Sequence, residues 1–162
     1  MEEPMEKEQI IDFTRRVSQS NRSGLTLVTY DIFFAYLSDA KDACAKEDWT
    51  EYKTAIHQAQ KAVQELINTL NFSYDLAKEL YQIYVFCRDQ LSVALYKRSL
   101  TELEQAESLM KKLRVSFEKV AEEDTSEILM KNTQQVYAGY TYGRNDIVEN
   151  CQGEDKKRGF LV

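Results

Sequence analysis

From Leu25 to Ala138 the chain contains no glycine and no proline. Pro4 and Gly24 precede this stretch, and Gly139, Gly143, Gly153 and Gly159 come after it. A β-sandwich, a barrel or a doubly wound sheet needs turn residues every 8–12 positions or so. That punctuation is missing, so those folds are excluded for the body of the chain, as is a Gly-rich phosphate loop within it. What remains is helix joined by short polar turns.

With 162 residues the chain suits one domain. At about this size folding buries roughly 70% of the unfolded surface, which supports a core without disulfide or metal staples. Cys44, Cys87 and Cys151 are widely spaced and form no Cys-x-x-Cys, a usage that fits a reducing compartment. The start, MEEPMEKEQ, lacks the apolar run of a signal peptide. No window approaches the roughly 18 apolar residues of a membrane span. The expectation is a soluble, cytoplasmic protein. The net charge of −6 and sequence pI of about 5.0 argue against nucleic acid and anionic membrane as partners.

Four helical periods succeed one another. The first runs from Leu25 to about Lys46. Asp48, with Glu51 three residues on, has the spacing of a capping box and opens a second helix reaching about Leu70. Asn71 or Ser73 caps a third that continues to about Lys97. Ser99 and Thr101-x-x-Glu104 start a fourth that ends near Glu123. Long helices joined by turns of two or three residues must fold back on one another, so the expected fold is all-α: an antiparallel up-down four-helix bundle. Residues 1–24 form a short N-terminal segment beside it, 25–124 the bundle, and 125–162 a short helix and a partly disordered tail.

At 100° per residue, the second helix gathers Trp49, Tyr52, Ile56, Ala59, Val63, Leu66, Ile67 and Leu70 in one arc. The fourth gathers Leu103, Ala106, Met110, Leu113, Phe117 and Val120. These are core stripes. The first helix carries two, Leu25, Val28, Ile32, Ala35 and Tyr36 against Leu27, Tyr30, Phe34, Leu37 and Cys44, and the pattern leaves open which faces the core. The third has a core stripe (Leu76, Leu80, Ile83, Tyr84, Cys87, Leu91, Ala94, Leu95) and beside it a row of Tyr74, Tyr81, Val85 and Tyr96. Tyrosine belongs where a surface is apolar yet wet. Either the chain's own ends cover these extra faces, or they bind a partner, since monomers rarely leave large apolar patches bare.

Catalytic chemistry has little to work with. His57, the one histidine, falls on the polar side of the second helix, and no G-x-S-x-G elbow occurs. A di-iron bundle needs Glu-x-x-His on two helices, whereas Thr54 stands three before His57. Glu65, Asp75, Glu79 and Asp89 read as solvated faces and caps, and Cys44 and Cys87 as small core hydrophobes. The sequence therefore predicts no catalytic residue, no metal and no cofactor.

Several stretches resemble the FliS family of flagellar secretion chaperones, in the family's order. LTLVTYDIFFAYLSDA (Leu25 to Ala40) is similar to its leucine-rich opening with a Tyr-Asp pair, here Tyr30-Asp31. LINTLNF (Leu66 to Phe72), LAKELYQIY (Leu76 to Tyr84) and LTELEQAESLMKKLRVSFEKV (Leu100 to Val120) come next, with Phe117 where the family carries an aromatic, usually tryptophan. Ser23-Gly24 replaces the family's proline, residues 1–24 lack its tyrosine, and bulky Ile32 and Phe33 succeed the Tyr-Asp pair. The resemblance implies a cytosolic export chaperone that binds the disordered C-terminal segment of flagellin, prevents premature polymerisation and aids secretion. Other flagellar export or regulatory proteins are further candidate partners, and a homodimer is compatible with the same faces. The contact surface expected on this basis comprises Leu25, Val28, Tyr30, Asp31, Ile32, Tyr36, Tyr74, Tyr81 and Val85. The competing function is a general helical adaptor that binds another amphipathic helix. Beyond the bundle, Ser126 to Gln135 could add a short helix, and the aromatic VYAGYTYG after it could dock on its own bundle.

Overall fold

The computed structural model describes residues 7–130. Its helices are α1, Lys7–Ser18; α2, Arg22–Ala45; α3, Trp49–Asn68; α4, Asp75–Lys97; and α5, Thr101–Glu123. Among the described residues the all-α class holds, but the helices number five. The additional helix, α1, lies in the segment set apart as 1–24. Residues 126–130 are not helical, and the rest of the short helix expected up to Gln135 lies outside the described residues.

Local chemistry explains the boundaries. Asn21 caps α2 by accepting the Gly24 N–H at 2.9 Å, so this helix starts before Leu25. Asp48 accepts the Glu51 N–H at 3.2 Å, the cap its spacing predicted. The next two caps differ from expectation. Asn71 spends its side-chain oxygen on the Ser73 N–H inside the turn, at 3.1 Å, and Tyr74 stands at the N-cap of α4 without a side-chain bond. Leu100 does the same for α5, while the Ser99 hydroxyl accepts the Thr101 N–H at 3.2 Å.

The pairing of helices is set by side chains that meet across them. Asp31 meets Arg114 and Lys41 meets Glu107, so the later α2 residue takes the earlier α5 residue and the two run antiparallel. Gln64 with Arg88 and Gln60 with Ser92 give α3 and α4 the same sense. α2 packs on α3 and α5, and α4 on the same two, which closes a ring of four helices; α1 adds to the outside of α2. Ala40 and Ala43 of α2 and Ala55, Ala59 and Ala62 of α3 are buried at the core. Such small side chains allow axes to approach toward the close end of the usual ~8–10 Å spacing. Leu37, Ile56, Val63, Leu91, Leu103 and Met110 fill the rest.

The core stripes need two corrections. Phe33, not Phe34, is the fully buried phenylalanine of α2; Phe34 is half-buried and meets the Phe33 ring edge-on at 5.4 Å. Leu76 and Val120, assigned to core stripes, are exposed because they lie near helix ends that no other described residue covers.

Two turns carry the cost of a body without glycine. Glu47 (φ 56°) and Arg98 (φ 53°) take left-handed conformations, which cost an L-residue roughly 1–2 kcal/mol. The Arg98 guanidinium lies over the Trp49 ring, 4.7 Å from its centre, and so recovers part of that cost. Glu47→Gly is expected to raise stability by about 0.5–1 kcal/mol, because strain relief exceeds glycine's added unfolded-state entropy. Arg98→Gly should gain less, since it also removes the contact with Trp49. Urea unfolding of both variants checks this, and a destabilised Glu47→Gly would overturn it.

Candidate partner-binding surface

α4 buries one narrow line: Ala77, Leu80, Tyr84, Cys87, Leu91 and Ala94, at alternating spacings of three and four. Everything else on the helix points sideways or outward. Tyr81, Val85 and Tyr96 fall within about 60° of one another on a helical projection. Tyr81 and Tyr96 are exposed, the latter by 90%, and Val85 is half-buried. Tyr74, at the N-cap, is 68% exposed, and the Phe72 ring meets Tyr81 edge-on at 5.8 Å. Farther round α4, Phe86 and Val93 are also exposed. This helix therefore presents an aromatic outer face, with Tyr74, Tyr81 and Val85 on it.

Sequence reading alone does not reveal the pocket beside this row. Thr26 of α2, Leu66 and Leu70 at the end of α3, Leu76 and Leu80 of α4 and Phe117 of α5 line a cavity of about 220 Å³ at one end of the molecule. Its floor includes Tyr84. Only the joint placement of four helix ends creates it, and no single stretch of sequence contains that signal.

α2 differs from α4 because its second face is covered. Val28 and Tyr30, expected as contact residues, are 2% and 0% exposed. Tyr30 is held inside by chemistry as well as packing. Its hydroxyl is 2.6 Å from that of Tyr84, and its ring lies 5.7 Å from Phe117. Burial pushes the phenol of Tyr30 far up, with the neighbouring Tyr84 adding to it, and burial likewise raises Tyr84. Leu25, Ile32 and Tyr36 are half-buried, and the last two pack against the core.

Asp31 is a junction, not an open contact. Its carboxylate receives Arg16 of α1 at 2.6 Å and Arg114 of α5 at 2.7 and 3.1 Å. Burial pushes this carboxyl up, but the hydrogen bonds and charges of the two arginines outweigh burial and leave it below the usual aspartate value. One carboxylate thus fastens α1 and α5 to α2.

The residues read as solvated faces and as small core hydrophobes can be placed in turn. His57, Glu65, Asp75, Glu79 and Asp89 are exposed. Cys87 is buried, its thiol pushed up to about 12 by that burial, and Cys44 is half-buried. Cys151 and the tyrosines of VYAGYTYG lie outside the described residues. Among the described residues no group of three or more His, Cys, Asp or Glu side chains could hold a metal, and no helix is long and apolar enough to cross a membrane.

Two measurements test this interior. Tyr84→Phe leaves the buried Tyr30 hydroxyl without its partner and should cost about 1–3 kcal/mol, whereas Tyr30→Phe with Tyr84→Phe should cost clearly less than the sum of the single changes. Additive losses in denaturant unfolding would remove the hydroxyl pair from the account. For Asp31 the docked state has the lower pKa, so its contribution is present above the undocked value of about 3.9 and is lost as pH falls through the docked one. Amide-exchange protection of residues 7–18 is therefore expected to fall selectively in acid, and to be reduced already at neutral pH in Asp31→Asn. If α1 protection in Asp31→Asn matches the parent at pH 7, the junction does not hold α1.

Comparison with curated protein sequences finds no match. The family described as "Flagellar protein FliS" matches residues 7–124, from the first turn of α1 to the end of α5, which is well over half of the chain. An all-helical chain with this order of elements, matched over all five helices, belongs to the FliS family of flagellar chaperones.

Proposed function

We propose that the protein is a cytosolic export chaperone that binds the disordered C-terminal segment of flagellin, keeps it from polymerising early and helps present it for secretion. The observation that carries this reading is the aromatic outer face of α4, with Tyr74, Tyr81 and Tyr96 exposed and Val85 beside them, on a chain of a chaperone family. A segment destined to pack in a filament has apolar helix faces that self-associate when free. A row of tyrosines suits them, since each ring offers apolar area at low entropic cost and a hydroxyl that tolerates water. Ordering such a segment on the surface costs roughly 2–5 kcal/mol of the gross contact energy. A long, shallow face spreads many contacts along the segment to offset that cost, and binding needs no catalysis.

In this reading α2–α5 are the antiparallel up-down bundle and residues 25–124 the binding unit, with α1 as its outer brace. Of the contact residues expected on α2, Leu25, Ile32 and Tyr36 are half-buried on the helix across the ring from α4, Asp31 acts as a brace, and Val28 and Tyr30 support the bundle from within. Other flagellar export proteins could use the same row.

A flagellin C-terminal fragment titrated against the full chain supplies the test. Tyr81→Asp is expected to weaken binding by at least tenfold while leaving helicity unchanged, because the side chain is exposed. If the fragment does not bind the parent chain at all, the adaptor reading takes over. If it binds and Tyr81→Asp has no effect, the client lies on another face.

A further inference from the structure

The pocket at the α3–α4 end of the molecule lies close to where the C-terminal chain is anchored. Asn21 donates to the carbonyls of Asp124 (3.4 Å) and Ser126 (3.3 Å), the Ser23 hydroxyl meets the Asp124 carboxylate at 2.5 Å, and the Leu129 N–H donates to the Ser20 carbonyl at 3.1 Å. Hydrogen bonds from Ser126 and Ser23 hold the Asp124 carboxyl down at about 2, so the anchor stays charged at any physiological pH. Thr26 on the pocket wall is five residues beyond Asn21, about 8 Å along the helix. After Met130 the next six residues can span roughly 20 Å. The segment from residue 136 onward is therefore within reach of the pocket mouth.

The composition of this region is unusual for the chain. Residues 132–143, NTQQVYAGYTYG, contain no charged side chain, although 30% of the whole sequence is charged. Tyr137, Tyr140 and Tyr142 fall within this run. The cavity is about 220 Å³, below the roughly 300 Å³ at which small-molecule sites begin, and of a size for one side chain. Its lining is apolar in depth, with Thr26, Thr69 and Asn71 also contributing to it. An apolar body with a hydroxyl at its tip matches that wall. Phe72, Tyr74 and Leu76 stand exposed around it. In an extended strand Tyr140 and Tyr142 share one side, so one ring can enter while the other covers this apolar rim.

We infer that residues 136–142 of the same chain dock on this end of the molecule, with a tyrosine ring seated between Leu70, Leu76, Leu80 and Phe117. A short tether supplies an effective concentration in the millimolar range, so an intrinsically weak contact suffices to keep the site filled. The inference concerns the chain alone and does not depend on which client it carries.

The test uses the full-length chain with Tyr140→benzoylphenylalanine, irradiated at low concentration without any partner and then digested for mass spectrometry. Cross-links within one chain to residues 66–80 are expected, and Leu76→Asp should lower their yield several-fold. That substitution lies at an exposed position, so circular dichroism should show the fold unchanged. Cross-links only between two copies, cross-links to other helices, the absence of any cross-link, or a yield indifferent to Leu76→Asp would each overturn the inference.

Discussion

The packing of α2 against three other helices organises this molecule. Tyr30, Phe33, Leu37, Ala40 and Ala43 enter the core, α3 and α5 flank it, and α1 packs outside it. A helix with apolar residues all round has no stable solution at a surface. Its second face must be covered, and Arg16 and Arg114 meeting on Asp31 fix what covers it. The hydroxyl pair of Tyr30 and Tyr84 then ties α2 to α4 across the centre, where two unpaired phenols would be costly. Among the described residues α4 carries no such outer cover. The same kind of apolar excess that is wrapped on α2 stands bare on α4.

That contrast is one of cover, not of residue type. Interior tyrosines commit their hydroxyls to each other or to carbonyls, as Tyr52 does to Ala94 at 2.9 Å and Ser99 at 3.2 Å. The rings of Tyr81 and Tyr96 on the outer row of α4 are exposed instead. The residue type is the same, and what separates the two sets is whether another described helix buries the ring. The closed ring of helices gives the row its backing.

Much of the fold is legible in the sequence because periodicity and caps agree. α5 lies where Thr101 and Glu123 suggest, α3 starts at its Asp48 cap, and the Trp49–Leu70 arc is the buried or half-buried side of that helix. α1 escapes such a reading because KEQIIDFTRRVS mixes few apolar residues with many charges; Phe13 and Val17, four apart and half-buried, are its signal. The face of α2 is undecidable from a pattern with two stripes, and the spacing Tyr30, Phe33, Leu37, Ala40 becomes decisive only once the positions of α4 and α5 are known. The tyrosine row of α4 is legible because its partner stripe, Leu80 to Ala94, is so regular. The hydroxyl pairing of Tyr30 with Tyr84 and the pocket beneath Leu76 are not, since both arise from residues on different helices.

The anchor of Leu129 on Ser20 and of Asp124 and Ser126 on Asn21 has a consequence for the order of events during synthesis. The corner between α1 and α2 leaves the ribosome well before α5. Its polar groups find these partners only after α5 has been made, because the partners lie about a hundred residues later in the chain. Contacts that close so long a loop come late and slowly. The corner is thus sealed only after the last described helix has been made.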